Sequence, residues 1–164
     1  MRIVPLLASD RVAVPWKNKG GVTREVAVFP PGAGMADFLW RVSIAEVAEA
    51  GPFSIFPGVD RILTVLDGTL DLGGIALSPG EPFAFPGDVP IEGRPIDGPV
   101  ADLNLMMRRD RVRGSVRRVA SGVTLACDTA LLVSLGSLDA LLIEDANGPI
   151  AIEGEALLIE MTRL

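Results

Sequence analysis

A short segment near the start of the chain, residues 15–25, concentrates groups that could bind an oxyanion. Its consecutive glycines, Gly20 and Gly21, expose backbone N–H groups to close approach by an anion. Four side chains of the segment add charged and neutral hydrogen-bond donors: Lys17, Asn18, Thr23 and Arg24. The alternative interpretation is a glycine turn that leads into an edge strand, with Trp16 covering one end of a barrel and the charges in water.

Arg41 is a second cation that could take part in binding or catalysis. It lies in a segment whose alternation of side chains predicts a β-strand. Because alternate side chains of a strand point to opposite faces, Arg41, Ser43 and Ala45 share one face, and Trp40 lies on the other. If the Arg41 face points into a barrel, the guanidinium needs a carboxylate, since an unpaired buried charge is strongly unfavourable. Either a ligand supplies that carboxylate or the protein does, from one of four side chains: Glu25, Glu46, Asp60 or Asp102.

The elements that position these residues are predicted to be strands. The chain of 164 residues has 18 Gly and 13 Pro, with Val, Ile and Leu spread throughout, which is typical of short strands joined by tight turns. We therefore predict an all-β protein. Its strand candidates are residues 22–29, 38–45, 61–66, 69–72, 82–85 and 100–107.

The two halves of the chain have a similar order of predicted strands and hairpins. The strand, hairpin and strand of residues 62–85 recur in residues 131–161, where Asn147-Gly148 is predicted to be a type I′ hairpin turn. Between the halves lies the only basic cluster, interpreted as a solvated connector. The predicted organisation is the N-terminal strands and a first barrel in 1–107, an Arg-rich linker in 108–118, and a shortened second half in 119–164.

Composition excludes several classes of function. A formal net charge of −6 argues against a nucleic-acid partner, whose phosphates would be repelled. With no histidine and a single cysteine, we expect no transition metal, no other cofactor and no internal disulfide. No apolar stretch is long enough for a signal peptide or a membrane span, so the default expectation is a cytoplasmic protein without a membrane partner.

Five separate motifs, in order and spacing, resemble the HutD/Ves family. They are the glycine segment described above and residues 38–47, 51–61, 85–88 and 102–106. The resemblance implies a cupin-type, RmlC-like jelly-roll double barrel, here with a shortened second barrel. It also implies an association with histidine utilisation or stress induction. The family's usual Lys-Asn-Gly-Gly-Gly appears here as Lys17-Asn18-Lys19-Gly20-Gly21.

The first functional hypothesis is a metal-free bicupin that binds a small carboxylate-bearing metabolite, with a regulatory link to histidine utilisation. Charge, hydrogen bonds and apolar walls would come from eleven residues: Lys17, Asn18, Thr23, Arg24, Trp40, Arg41, Ser43, Phe53, Phe56, Arg61 and Asn104.

Two alternatives of a different class stay open. One is a metal-independent isomerase or hydrolase with Glu46 or Asp102 as general base. The other is a structural protein without a ligand, which assembles, for example as a homodimer, through the edge strands of its barrels. Stabilisation by a ligand that stays unchanged favours the binding module, and conversion of the ligand favours the enzyme. If neither effect is seen, the structural protein is favoured.

Overall fold

The computed structural model describes all residues, Met1–Leu164, and contains no α-helix. Its one helical element is a short 3-10 turn, Ala8–Asp10. The strands, in chain order, are β1 Arg2–Leu6, β2 Ala13–Pro15, β3 Gly21–Phe29, β4 Trp40–Val47, β5 Gly51–Pro52, β6 Val59–Leu72, β7 Ile75–Leu77, β8 Pro82–Pro86, β9 Glu92–Arg108, β10 Val112–Val119, β11 Val123–Ala126, β12 Thr129–Ser134, β13 Ala140–Glu144, β14 Asn147–Ile150 and β15 Ala156–Arg163. The all-β prediction is confirmed. No helix has the length and apolar character needed to cross a bilayer.

The first compact unit, Val12–Arg109, is a single antiparallel sheet. Its main path runs β2-β3-β4-β9-β6-β7, with β5 paired to β9 and β8 paired to β6. One face of β4, β6 and β9 carries the buried cluster that includes Val47, Leu63, Val65 and Val100. The buried polar residues of this unit lie on three neighbouring strands, β4, β6 and β9.

Two long strands allow this sheet to bend over its own core. The β6–β9 ladder shifts register between Val65 and Asp67 and again between Asp67 and Thr69. Extra residues of this kind twist and bend a strand, so one strand can contribute to two walls of a core. The inner surface is thus enclosed by an open sheet and not by a closed ring of strands.

The second compact unit combines Met1–Arg11 with Asp110–Leu164. It contains a five-stranded antiparallel sheet, β1-β13-β12-β15-β10, and a two-stranded sheet, β11-β14. Leu125 of β11 and Leu158 of β15 belong to one buried apolar cluster, so the two sheets share a core. The second half is short, but it recruits the N-terminal strand β1, which pairs with β13.

These boundaries differ from the predicted ones in two places. The N-terminal strand, which the prediction grouped with the first barrel in residues 1–107, belongs to the second unit. Most of the predicted linker 108–118 is strand β10, where Val112 and Val116 are buried and the arginines are exposed. Arg117 pairs with Glu160 of β15, and Arg118 pairs with Glu155, the residue before β15. A strand with several exposed arginines, two of them adjacent, has the composition of a solvated connector, so the sequence interpretation missed the strand.

The predicted turn at Asn147-Gly148 is wrong. These residues begin β14, where Gly148 pairs with Leu125 of β11. The chain turns earlier, at Asp145 with φ 50°, followed by the buried Ala146. Ala146 donates to the backbone carbonyl of Asp128 and accepts from Cys127, so pairing with a distant segment determines where the turn lies.

Candidate functional site

The buried polar side chains of the protein all lie in the unit Val12–Arg109. They are Ser43, Arg61, Thr64, Asp102 and Asn104. In the second unit, every buried side chain is apolar or is the thiol of Cys127. Since burying polar groups in a core costs free energy, this clustering in one unit identifies the candidate site.

Strand β9 provides the centre of the site. Asp102 and Asn104 occupy alternate positions, so both side chains point to the same face of the sheet. Ser43 of β4 lies opposite Asn104 in the ladder. Arg61 of β6 shares this face and pairs in register with Phe85 of β8. Of the five buried polar residues, Thr64 alone is on the opposite face, where it is paired in register with Leu103 of β9.

A chain of hydrogen bonds links the two buried charges. Arg61 Nη2 donates to Asn104 Oδ1 at 2.7 Å, and Asn104 Nδ2 donates to Asp102 Oδ1, also at 2.7 Å. The two charges are therefore coupled through the amide and make no direct ion pair. An amide suits this position because its oxygen can accept a hydrogen bond from a cation while its NH₂ group donates one to an anion.

Aromatic rings surround the Arg61 guanidinium. Its Cζ lies 5.4 Å from the ring centre of Phe53, 5.5 Å from that of Phe56 and 5.1 Å from that of Phe85. Such contacts attract a desolvated cation through the ring quadrupoles. The cage holds the guanidinium in place without using its hydrogen-bond donors.

Two glycines allow this cage to close. A Cβ atom at Gly93 would lie 2.5 Å from the Phe53 ring, and one at Gly87 would lie 2.8 Å from the carbonyl oxygen of Val59 and 3.3 Å from Arg61 Cδ. A side chain at either position would displace the ring or the stem of Arg61. The backbone at these two positions is therefore part of the wall of the site.

Both buried charged side chains, Arg61 and Asp102, have an atom that could form a further hydrogen bond. Arg61 Nε and Asp102 Oδ2 are buried and have no hydrogen-bond partner. Burial lowers the pKa of Arg61 to about 10, although the Asp102 charge opposes the change. Burial likewise raises the pKa of Asp102 to about 7, against the effects of Arg61 and Asn104. Unfilled hydrogen-bonding groups and shifted pKa values in one interior mark it as a candidate functional site.

Arg41 lies on the same face, as its alternation predicted, but it already has a carboxylate. Its Nε is 3.0 Å from Glu25 Oε1, and the exposed fractions of the two side chains are 15% and 45%. Of the four candidate partners, the structure selects Glu25. The positive charge of Arg41 contributes to the lowering of the Arg61 pKa, so both cations act on the same interior.

Two predicted site residues lie on the opposite face of the sheet. Trp40 is on the opposite face of β4 and stacks on Phe29, with ring centres 6.1 Å apart. Arg24 is also on the opposite face of its strand and pairs with Glu46 at 3.1 Å, both side chains being substantially exposed. Glu46, proposed as a general base, therefore does not share the face of Asp102.

The glycine segment is a turn that orders itself. Asn18 Oδ1 accepts from the backbone N–H of Gly20 at 2.8 Å, and Thr23 Oγ1 accepts from Trp16 Nε1 at 2.7 Å. Lys17 is exposed. Trp16 packs edge-on against Phe53, with ring centres 6.3 Å apart, so the segment touches the aromatic cage through its tryptophan and not through its cations.

Sequence reasoning missed Phe85, Gly87 and Gly93, and it considered Asp102 only as a general base or as a partner of Arg41. An available signal was the pair Asp102 and Asn104 at alternate positions of an otherwise apolar strand. No group of three His, Cys, Asp or Glu side chains is placed to hold a metal ion. The expectation of a protein that works without a transition metal stays a prediction.

Comparisons with known proteins agree on one family. The HutD family model matches residues 8–160. Protein Ves from Citrobacter koseri is 43% identical over 109 residues, which are 62% of this chain and 56% of that protein. Protein Ves from Cronobacter sakazakii is 46% identical over 110 residues, 62% of this chain and 59% of that protein. The match thus spans less than two thirds of the length of either relative.

Solved structures extend the likeness to the whole chain. HutD from Pseudomonas fluorescens superposes with a TM-score of 0.87 at 33% identity, covering 99% of this chain and 100% of that one. A conserved protein of unknown function from Pseudomonas aeruginosa has a TM-score of 0.85 at 30% identity, with the same coverage. The E. coli protein Ylba, at 10% identity and a TM-score of 0.71, covers 98% of this chain and 90% of its own, and shares the fold alone. The cupin-type fold class predicted from the sequence is confirmed. Since the family model and full-length structural relatives coincide over nearly all residues, this chain belongs to the HutD family.

Proposed function

We propose that the protein binds a small carboxylate-bearing metabolite in the unit Val12–Arg109, with Arg61 as the group that receives the carboxylate. The proposal moves the centre of the predicted site from Arg41 to Arg61. Arg41 has a protein carboxylate within 3.0 Å, whereas Arg61 reaches its nearest carboxylate only through Asn104.

The observation that carries this proposal is the unused donor of a caged cation. Arg61 is held by three rings and one amide, and its Nε–H has no acceptor. A buried donor without a partner costs about 1–3 kcal/mol, more when it is charged. A carboxylate, with two oxygens matched to the guanidinium, would supply the missing acceptor and remove that cost.

A regulatory role in histidine utilisation is the finer part of the proposal. It rests on family membership, since relatives carry the name HutD. Under this proposal the ligand is a carboxylate that the pathway produces, and the protein binds it without changing it. The argument is one of association, because a shared fold does not determine a function.

A metal-independent enzyme is the second candidate, and one observation favours it. Asp102 is buried with a pKa raised to about 7, which is suited to a general base near neutral pH. Arg61 would then stabilise an oxyanion. We favour the binding module, because Glu25, the other carboxylate on this face, is already paired with Arg41.

The experiment measures thermal unfolding with formate, acetate and succinate, against chloride at equal ionic strength. A ligand that binds only the folded state at a hundredfold excess over its dissociation constant adds about 2.7 kcal/mol of stability. NMR spectra of the same samples show whether the carboxylate is converted. A shift with unchanged ligand supports the binding module, conversion supports the enzyme, and the absence of any shift contradicts both.

Arg61→Met and Arg24→Met form a matched pair of variants. Each replaces an arginine of the same unit by a neutral, unbranched side chain, but only Arg61 lies in the cage. We expect the carboxylate-induced shift to disappear in the first and persist in the second. A shift that survives in Arg61→Met contradicts the role assigned to Arg61.

A further inference from the structure

The interior of the site carries no net charge when its groups are ionised. Arg61 and Asp102 are the two buried charges, and the Asn104 amide joins them. Nearer the surface, Arg41 and Glu25 form their own pair. A ligand carboxylate bound at Arg61 would therefore leave one negative charge in excess within a dehydrated interior. Uncompensated buried charge is costly, so the site needs a way to remove it.

We infer that anion binding at Arg61 is coupled to the uptake of one proton by Asp102, which acts as the charge-balancing residue of the site. The inference rests on the proposed function. The proton comes from solvent and forms an O–H bond on the Asp102 carboxylate. One anion and one proton enter together, so the net charge of the interior is the same before and after binding.

The position of Asp102 fits this role. Oδ1 accepts from Asn104, while Oδ2 is buried and without a partner, so one oxygen is free to carry the proton. If the Asp102 carboxylate contacted Arg61 directly, the guanidinium would favour its ionised form more strongly, and it would take up a proton less readily. Asn104 keeps the two groups apart, and protonation of Asp102 leaves the hydrogen bond from Asn104 to Oδ1 intact.

Neighbouring elements offer no other group that could take the proton as readily. Across the sheet, β6 contributes Arg61, β4 contributes Arg41 and β3 contributes Glu25, while β8 contributes aromatic rings without charge. Glu25 is half exposed and paired with Arg41. The pKa of Asp102, raised to about 7 by burial, places its proton within reach at neutral pH.

The coupling predicts a defined pH profile for binding. Below about pH 7 Asp102 already carries its proton, so the dissociation constant of an anion is independent of pH. Above that value each bound anion must bring a proton, and the dissociation constant rises about tenfold per pH unit. Formate and acetate stay ionised throughout, so the profile reports the protein and not the probe.

The test measures dissociation constants for formate and acetate by NMR titration of the wild-type protein from pH 6 to pH 9 at constant ionic strength. A pH indicator in a weakly buffered sample at pH 8.5 records protons taken up as anion is added. We expect the tenfold rise per unit and about one proton per bound anion. A dissociation constant that stays constant across this range, with measurable binding, overturns the coupling and leaves the proposed function standing.

Asp102→Asn provides the second arm, because an amide can keep the hydrogen bond with Asn104 but cannot change charge. We expect its anion affinity to be independent of pH and its proton uptake to vanish. Glu25→Gln is the matched control and should retain the wild-type slope. A slope that persists in Asp102→Asn, or disappears in Glu25→Gln, assigns the proton to another group and overturns the inference. Should Asp102→Asn not fold, the wild-type slope and proton count decide alone. Failure of both anions to bind at any pH refutes the proposed function and the coupling with it.

Discussion

Replacing Arg61 with methionine separates a ligand site from a structural charge. The unbranched methionine fills much of the space between Phe53, Phe56 and Phe85 but carries no charge. Burial lowers the pKa of Arg61 to about 10, which corresponds to about 3 kcal/mol acting against the buried cation. Loss of the cation–π contacts and of the hydrogen bond to Asn104 opposes this gain with about 2–4 kcal/mol.

These opposing contributions nearly cancel, so we expect the free energy of unfolding of Arg61→Met at pH 6 to lie within about 1.5 kcal/mol of wild type. At that pH Asp102 is largely protonated and leaves no stranded charge. Above pH 7 the variant should lose stability relative to wild type by up to about 1.4 kcal/mol per pH unit, because Asp102 no longer has a cation to favour its ionised form.

Urea unfolding followed by tryptophan fluorescence measures this directly. The only tryptophans of the chain, Trp16 and Trp40, both lie in the unit Val12–Arg109, so the signal reports the unit that contains the substitution. Arg24→Met is the control for loss of an exposed arginine and should change stability by less than about 1 kcal/mol at both pH values. A loss above about 3 kcal/mol for Arg61→Met at pH 6 would refute the reasoning, since a structural charge pair broken on one side costs about 3–5 kcal/mol.

Other substitutions probe the same geometry through stability. In wild type, the raised pKa of Asp102 makes the folded state bind more protons than the unfolded chain, so the unfolding free energy falls as the pH rises from 4 to 7. We expect a weaker fall in Asp102→Asn, and equal slopes in urea titrations of the two proteins would contradict this. Lys19→Gly should stabilise by about 1 kcal/mol, since Lys19 has φ 62° in the left-handed region, and an unchanged melting curve would count against this strain. Gly87→Ala should cost about 1–3 kcal/mol and weaken carboxylate binding, because its Cβ meets the Val59 carbonyl at 2.8 Å; a variant with wild-type stability and affinity would refute the close approach. In the second unit, Leu158→Ala should cost about 2–5 kcal/mol without altering carboxylate affinity, and a changed dissociation constant would contradict a site confined to Val12–Arg109.

The glycine-rich turn shows how local chemistry can mislead. Lys17, Asn18 and Arg24 have the composition of an anion site, yet Asn18 orders its own turn and Arg24 pairs with Glu46 on the other face of the sheet. Polar side chains of a turn form hydrogen bonds with the nearby backbone, with neighbouring acceptors or with solvent before they reach a distant interior. The residues that do meet inside, Arg61 and Asn104, are separated by 43 positions.

By itself the sequence determined the class of fold and the faces of its strands. Turn-forming Gly and Pro between β-prone segments predict an all-β chain, and the strict alternation of a strand places Arg41 and Ser43 together, as the structure has them. These properties depend on neighbours along the chain, so composition and spacing suffice to predict them.

Only the tertiary structure decided which cation is central. Arg41 and Arg61 are both arginines of apolar strands, but the ladder of β3 and β4 brings Glu25 to Arg41, whereas the pairing of β6 with β8 and β9 encloses Arg61 among rings and beside Asn104. The same long-range pairing assigned β1 to the second unit and moved the turn away from Asn147. Burial and partner choice arise from registers between distant segments, and a one-residue change in any of them would reverse the face that each side chain presents.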